Sequence, residues 1–123
     1  MAKKILIIDD DADYVEAVSA TLQGRGYEVT ARSDGPAGFS AAKSWKPDII
    51  ILDIMMAYDS EGLDMAGKLA QDAATNAIPI VLVTGIRHPE DLPANSAMIK
   101  ATLEKPVKPD VLIAAIENAL KKA

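Results

Sequence analysis

Four short apolar runs are spaced along the chain, and each leads into a polar residue. The runs 5–8, 49–52 and 80–83 each contain four consecutive aliphatic residues, whereas the run 101–103 is shorter. Short runs that are rich in β-branched residues are typical of strands buried on both faces of a sheet. A fifth segment, 27–31, alternates between apolar and polar residues and predicts a strand at a sheet edge.

Helical patterns lie between these strands. Asp10 or Asp11 can cap a first helix, because short acidic side chains accept hydrogen bonds from the first helical N–H groups. Val15, Val18 and Leu22 would lie on one face of that helix. A glycine pair follows and predicts its end.

A second helix is predicted to begin at the turn 34–36 and to end near Trp45, because Lys46-Pro47 cannot continue it. A third helix begins near Gly62, and a fourth strand is expected from residue 78 to residue 83. Two prolines, at positions 89 and 93, make any helix in the following segment short or irregular.

The last helix is predicted to begin at Pro109-Asp110. Its apolar residues Leu112, Ile116 and Leu120 recur at a spacing of four, and two further apolar residues accompany them: Val111 and Ala115. Five strands that alternate with five helices predict an α/β protein with a doubly wound parallel sheet. Right-handed crossovers then place helices on both faces of the sheet.

Composition narrows the class of protein. The 123 residues fit one domain, 1–123, and half of them are hydrophobic, which allows a substantial core. The apolar runs are too short to span a membrane, the chain has no cysteine, and the start of the chain leaves no room for a signal peptide. The net charge of −5 argues against direct nucleic-acid binding. We therefore expect a cytoplasmic protein.

The polar residues after the strands are the candidate functional residues. Parallel strands bring their carboxyl ends to one crevice, which is where open α/β sheets bind ligands. Asp9 and Asp10 follow the first strand, and Asp53 follows the third. Thr84 and Lys105 follow the fourth and fifth strands. We therefore expect three carboxylates, a hydroxyl and an ammonium group in one pocket.

These groups together suit phosphoryl transfer. Three ionised carboxylates repel one another unless a cation joins them, and Mg²⁺ suits a site with few carboxylates and several waters. Mg²⁺ also bridges phosphate oxygens, which leaves one carboxylate free to attack phosphorus. Lys105 can neutralise charge on the phosphoryl oxygens, and Thr84 can donate a hydrogen bond to one of them.

Four motifs in this order resemble a response-regulator receiver domain, the family of the chemotaxis regulators. They are the strand and acid pair of 3–11, the strand and aspartate of 46–56, Thr84-Gly85, and Lys105-Pro106. The resemblance covers essentially the whole chain. It implies a flavodoxin-like sheet with strand order 2-1-3-4-5.

The resemblance also implies roles for single residues. Asp53 matches the phosphoacceptor, which takes a phosphoryl group from a histidine kinase or a phosphotransfer protein. Asp10 matches the direct Mg²⁺ ligand, and Asp9 matches its partner, which often acts through water. Asp53 is also expected to bind the metal, and the Met55 backbone carbonyl matches the ligand that completes the metal site. Thr84 matches the hydroxyl that moves toward the phosphoryl group.

Lys105 matches the lysine that contacts the phosphoryl group, and Pro106 matches a cis-peptide position that sets its reach. A receiver of this kind is a phosphoacceptor with an effector partner. It can lose its own phosphoryl group but turns over no separate substrate, and so it is not an enzyme.

Three departures from the family pattern concern the output. The family usually has Tyr or Phe three residues before the lysine, where this chain has Thr102. Pro89 and Pro93 fall where the fourth helix should run, and Ala57 replaces a proline after the acceptor. We expect phosphorylation chemistry to be retained with an atypical output face.

Two other functions compete with this one. A binding module of the same fold, docked to a partner independently of phosphorylation, would also explain Thr102 and the two prolines. A phosphatase with an aspartate nucleophile would need Thr or Val at position 13, where this chain has Asp13. The sequence leaves open whether the chain is a stand-alone protein or a fragment.

Overall fold

The computed structural model describes residues 3–53, 61–84, 98–105 and 107–122. The strands are β1 (Lys4–Ile8), β2 (Glu28–Arg32), β3 (Ile49–Asp53), β4 (Ile80–Thr84) and β5 (Ile99–Glu104). The helices are α1 (Ala12–Gly24), α2 (Gly35–Trp45), α3 (Glu61–Gln71) and α4 (Pro109–Lys122). All strand pairs are parallel, and their order is β2-β1-β3-β4-β5. The predicted fold class and strand order are confirmed.

The bounds of the elements differ from the prediction in three places. The fourth strand begins at Ile80 and not at residue 78, because the Ile78 N–H donates to the Thr75 carbonyl oxygen (3.0 Å) within a turn after α3. The second strand lies one residue later than predicted, and β5 is longer than 101–103. The predicted irregular helix between β4 and β5 falls on residues outside the described ranges, which contain four helices.

The central strands are buried on both faces, as their unbroken apolar runs predicted. Alternate side chains point to opposite sides of the sheet. Leu6 and Ile8 of β1 face the layer that contains α2 and α3, whereas Ile5 and Ile7 face the layer that contains α1 and α4. Each of these four side chains is 0% exposed, and burial of one such side chain contributes about 1.5–3 kcal/mol.

Helix ends follow the local signals in the sequence. Asp11, and not Asp10, is the N-cap of α1, and its side chain accepts a hydrogen bond from the Tyr14 N–H at 3.1 Å. Asp34 caps α2 in the same way. Lys46 ends α2 in a left-handed conformation, with φ of 54°. Asp11 as cap leaves the Asp10 carboxylate available to the functional site.

The buried face of α4 is offset from the predicted one. Leu112, Ile113, Ile116 and Ala119 are buried, whereas Val111 is 46% exposed. Successive residues are turned by about 100° in a helix, so Val111 lies well away from the direction shared by Leu112 and Ile116. The prediction that Val111 packs beside them was wrong. Within the described residues, no helix combines the length and apolarity needed to cross a membrane.

Gly38 sets how closely α2 approaches β1, and its replacement is expected to destabilise the fold. A Cβ atom at this position would lie 2.6–2.9 Å from three side-chain atoms of Ile8. Because Ile8 is branched at Cβ and fully buried, it cannot turn away. We expect Gly38→Val to lower the free energy of unfolding by about 2–3 kcal/mol, measured by chemical denaturation.

The matched control for this prediction is Gly67→Val. Gly67 also lies within a helix, but a Cβ atom there would meet nothing within 4 Å. We expect its free energy of unfolding to stay within about 0.5 kcal/mol of the wild-type value. Equal losses in the two variants would show that the helical position, and not the contact with Ile8, determines the cost.

Candidate functional site

The polar residues predicted to converge do lie at the carboxyl edge of the sheet. Asp9 directly follows β1, Asp53 is the last residue of β3, and Lys105 directly follows β5. Thr84 is the last residue of β4, and its backbone lies opposite Glu104 of β5. The sheet therefore brings together positions that are up to 96 residues apart in the sequence.

Asp9, Asp10 and Asp53 form one group of carboxylates. One oxygen from each lies within 4.8 Å of the others, a spacing that allows all three to bind a single metal ion. Asp9 and Asp53 are each only 4% exposed, whereas Asp10 is exposed. Two acids are therefore held inside the pocket, and the third stands at its mouth where solvent reaches it.

Asp9 is held by contacts to both of its carboxylate oxygens. Oδ1 accepts a hydrogen bond from the Asp11 N–H at 2.9 Å, and Oδ2 accepts one from Lys105 Nζ at 3.0 Å. The Asp9 N–H donates to the Arg32 carbonyl oxygen at 3.0 Å, which fixes the backbone. These contacts orient Asp9 toward the pocket and join the β1–α1 turn to the end of β5.

Lys105 contacts two of the three carboxylates. Its Nζ lies 3.0 Å from Asp9 Oδ2 and 3.7 Å from Asp53 Oδ2. Its side chain is 22% exposed, so the pair with Asp9 is largely shielded from water. Among the described residues of this pocket, three carboxylates lie around the ammonium group of Lys105, so the acids outnumber it.

The donor set fits a divalent cation with a preference for oxygen. Mg²⁺ is bound in proteins through one or two carboxylates together with several waters. Asp10 is exposed, and so a metal bound here could keep part of its water shell while it contacts the buried acids. The charge of a divalent ion would also reduce the mutual repulsion of the three carboxylates.

The remaining predicted site residues fall into two groups. Met55, Ala57, Pro89, Pro93 and Pro106 lie outside the described residues. Thr102 is half-buried in β5 and pairs with Leu82 of β4. The described pocket therefore contains the three acids and the lysine, with the end of β4 beside them.

Tyr14 also belongs to this neighbourhood, although it was not among the site residues predicted from the sequence. Its ring centroid lies 4.4 Å from Lys105 Nζ. Tyr14 is the first residue of the apolar face of α1 and lies one turn before Val18. Its position in the first turn after the acids, one helical turn before Val18 on the apolar face, is the signal that could have indicated it.

Burial and negative charge raise the pKa of Tyr14 from 10.0 to about 12, with burial as the larger cause and Asp9 and Asp53 as further causes. The neutral phenol is thus favoured in the folded state. Its contribution to stability is fully present below pH 10 and is lost as the pH rises through about 12.

This pKa can be checked by an alkaline titration that follows the ultraviolet absorbance of phenolate. We expect Tyr14→Phe to remove a transition near pH 12 and to leave the other tyrosines titrating as before. Asp53→Asn should lower the pKa of Tyr14 only in part, because burial is the larger cause. A late transition that survives in Tyr14→Phe would contradict the assignment.

Comparison with known proteins agrees with this geometry. The family model of the response regulator receiver domain matches residues 5–117. The DNA-binding response regulator MtrA of Mycolicibacterium paratuberculosis is 28% identical over 123 residues, which are 99% of this chain and 53% of MtrA. The response regulator PleD of Caulobacter vibrioides is 38% identical over 86 residues, which are 70% of this chain and 19% of PleD. This chain thus spans about half of MtrA and less of PleD.

A solved structure is similar over nearly its full length. The chemotaxis response regulator CheY4 of Vibrio cholerae superimposes with a TM-score of 0.87 at 28% sequence identity. The match covers 97% of this chain and 99% of CheY4. The sheet order and the helical layers are therefore those of a known architecture.

Proposed function

Since this chain belongs to the response regulator receiver domain family, we propose that Asp53 accepts a phosphoryl group from a histidine kinase or a phosphotransfer protein. The observation that carries this proposal is the grouping of Asp53 with Asp9, Asp10 and Lys105 at one edge of the sheet. Response regulators of this family act in two-component signalling and interact with such donors. We take the location to be cytoplasmic.

The proposed reaction is a displacement at phosphorus. A carboxylate oxygen of Asp53 attacks the phosphorus atom and forms a new P–O bond. The bond from phosphorus to the donor nitrogen breaks, and its electron pair stays on the histidine ring. Asp53 is nearly buried, which limits competing water at the acceptor oxygen.

Lys105 would stabilise the negative charge that develops on the phosphoryl oxygens in this reaction. Its ammonium group lies between Asp9 and Asp53, where the phosphoryl oxygens of a donor would arrive. A charged group that is already in position stabilises the transition state without any rearrangement of the site during the reaction. We propose that Thr84 donates a hydrogen bond to a phosphoryl oxygen, because β4 ends at this edge.

Receiver domains generally bind Mg²⁺ at an acidic pocket, and Asp9, Asp10 and Asp53 form such a pocket. We propose Asp10 as a direct ligand, Asp9 as its partner, and Asp53 and the Met55 backbone carbonyl as the further protein ligands. Bound Mg²⁺ would neutralise phosphoryl charge and bring donor and acceptor together. Asp9 keeps its place through the Asp11 N–H and Lys105.

The product is a modified protein, and no separate substrate is turned over. Loss of the phosphoryl group by the domain itself belongs to the proposal. We also propose that the output face is atypical, because Thr102 of β5 lies at the position where the family usually has Tyr or Phe. We propose that the effector, whose identity is open, recognises a conformational change other than the rotation of such a ring.

Intact-mass spectrometry after incubation with Mg²⁺ and a small acyl phosphate tests the function directly. We expect the mass of one phosphoryl group to be added, and we expect a metal chelator to prevent the addition. The reason is that the acids repel an anionic donor unless a divalent cation joins them. The absence of any adduct would favour a phosphorylation-independent binding module.

The output proposal has its own test. Structures or amide spectra of the phosphorylated and unphosphorylated forms should differ around β5 and α4, the elements that flank Lys105. Identical spectra in the two forms would refute a readout through the fold of this domain. They would leave the acceptor role of Asp53 intact.

A further inference from the structure

The ammonium group of Lys105 is bounded on three sides. Asp9 and Asp53 lie on two of them, at 3.0 and 3.7 Å, and the face of the Tyr14 ring lies on the third. The distance of 4.4 Å from Nζ to the ring centroid is well within the range of cation–π attraction. Tyr14 comes from α1 and Lys105 follows β5, so only the tertiary structure brings the two together.

The Tyr14 ring is held by the packing of two helices. It belongs to the apolar cluster on the α1 and α4 side of the sheet, together with Val18 and Leu112. It also lines a cavity of about 130 Å³ between these helices, together with Val107 and Ile113. The ring thus packs on the helical layer, whereas the lysine stem is flexible, so the ring is the more constrained of the two groups.

The phenolic hydroxyl contributes little to this arrangement. It is buried and has no hydrogen-bond partner among the described residues. A buried hydroxyl without a partner lowers stability, so its presence offers no structural reason for tyrosine at this position. The part of Tyr14 that contacts the functional site is the aromatic face.

We propose that Tyr14 is a positioning residue that holds the Lys105 ammonium group beside Asp53 through its aromatic face. A lysine side chain has a flexible four-carbon stem, and its charge reaches the reacting oxygens only in a fraction of its conformations. The ring favours those conformations of Lys105 before the donor binds, which raises the rate of phosphoryl transfer. This proposal rests on the proposed acceptor function of Asp53.

Three variants test the proposal through the rate of adduct formation with Mg²⁺ and a small acyl phosphate. Tyr14→Leu keeps an apolar side chain but removes the aromatic face, and we expect it to slow the reaction roughly two- to thirtyfold. Tyr14→Phe keeps the face and should react at the wild-type rate. Val18→Ala loses packing in the same cavity and should also react at the wild-type rate.

A spectroscopic measurement tests the contact independently of the reaction. Protons on the Lys105 ε-carbon should show an upfield ring-current shift in the nuclear magnetic resonance spectrum of the wild-type protein. We expect Tyr14→Phe to keep this shift and Tyr14→Leu to lose it. Absence of the shift in the wild-type protein would overturn the proposal whatever the reaction rates.

The rate outcomes separate this proposal from the function on which it rests. If the wild-type protein is phosphorylated and Tyr14→Leu reacts at the same rate, the role of Tyr14 is overturned. The acceptor role of Asp53 then still stands. Equal slowing in all three variants would also overturn it, because packing would then be the cause. A wild-type protein that forms no adduct would overturn both.

Discussion

Asp53→Asn is expected to abolish the phosphoryl adduct that we predict for the wild-type protein with Mg²⁺ and a small acyl phosphate. The amide that replaces the carboxylate has no oxygen that can form a stable acyl phosphate. Asp9 is equally buried, but both of its carboxylate oxygens already accept hydrogen bonds, from the Asp11 N–H and from Lys105 Nζ. Intact mass and peptide mapping measure the outcome.

The control for this variant is Asp13→Asn. Asp13 is exposed in the first turn of α1, where its charge favours the helix but does not belong to the carboxylate group. We expect it to form the adduct as the wild-type protein does. An adduct of undiminished amount in Asp53→Asn would show that another residue is the acceptor.

The loss in Asp53→Asn should not come from unfolding. Asp53 shares its pocket with two further carboxylates, and removal of its charge relieves their repulsion. We therefore expect the thermal midpoint of the variant to be no lower than that of the wild-type protein. A folded variant that forms no adduct is the result that assigns the chemistry to this side chain.

Lys105→Ala is expected to slow adduct formation about 100- to 1,000-fold, because removal of one preorganised charge at a reacting centre has this effect. Lys105 is the residue that reaches both buried acids of the pocket. Without its ammonium group, charge on the phosphoryl oxygens loses a partner in a site that water scarcely reaches. Quench-flow or continuous mass measurement gives the rate.

The same variant should bind Mg²⁺ more tightly than the wild-type protein. Lys105 occupies Asp9 Oδ2 and lies near Asp53 Oδ2, so it competes with a cation for these oxygens. Its removal leaves three negative charges without the ammonium group. Metal titration followed by calorimetry checks the direction, and weaker binding would contradict this account of the charge balance.

Lys108→Ala is the matched control for Lys105→Ala. Lys108 is an exposed lysine in the same connection between β5 and α4. Lys108→Ala removes one positive charge, as Lys105→Ala does, so the long-range electrostatic effect on an anionic donor is equal in the two variants. Slow phosphorylation in Lys105→Ala alone would place the effect in the pocket.

Strand identities and the fold class could be predicted because local patterns determine them. The unbroken apolar run from Ile5 to Ile8 requires a partner layer on each face of the sheet, and two clusters on opposite faces meet that requirement. Asp34 and Lys46 mark the ends of α2 through their own backbone and side-chain geometry. Such signals depend on residues a few positions apart.

The edge that carries the acids could also be predicted, because parallel strands all present their carboxyl ends on one side. The chain order of Asp9, Asp53 and Lys105 was sufficient to expect a common pocket. Asp10 is a different case, since either it or Asp11 could cap α1 by sequence alone. The hydrogen bond from the Tyr14 N–H to Asp11 decides this.

Local sequence patterns could not predict the contacts between helices and strands. The close approach of Gly38 to Ile8 depends on how α2 settles on β1, and the exposure of Val111 depends on the rotation of α4 about its axis. The ring of Tyr14 under Lys105 joins α1 to the end of β5. The sequence alone determined which segments form strands and helices, because these features follow from neighbours along the chain, and the parallel arrangement that they imply predicted the acidic edge. Only packing decided which groups touch, because side-chain distances depend on how whole elements rotate and approach.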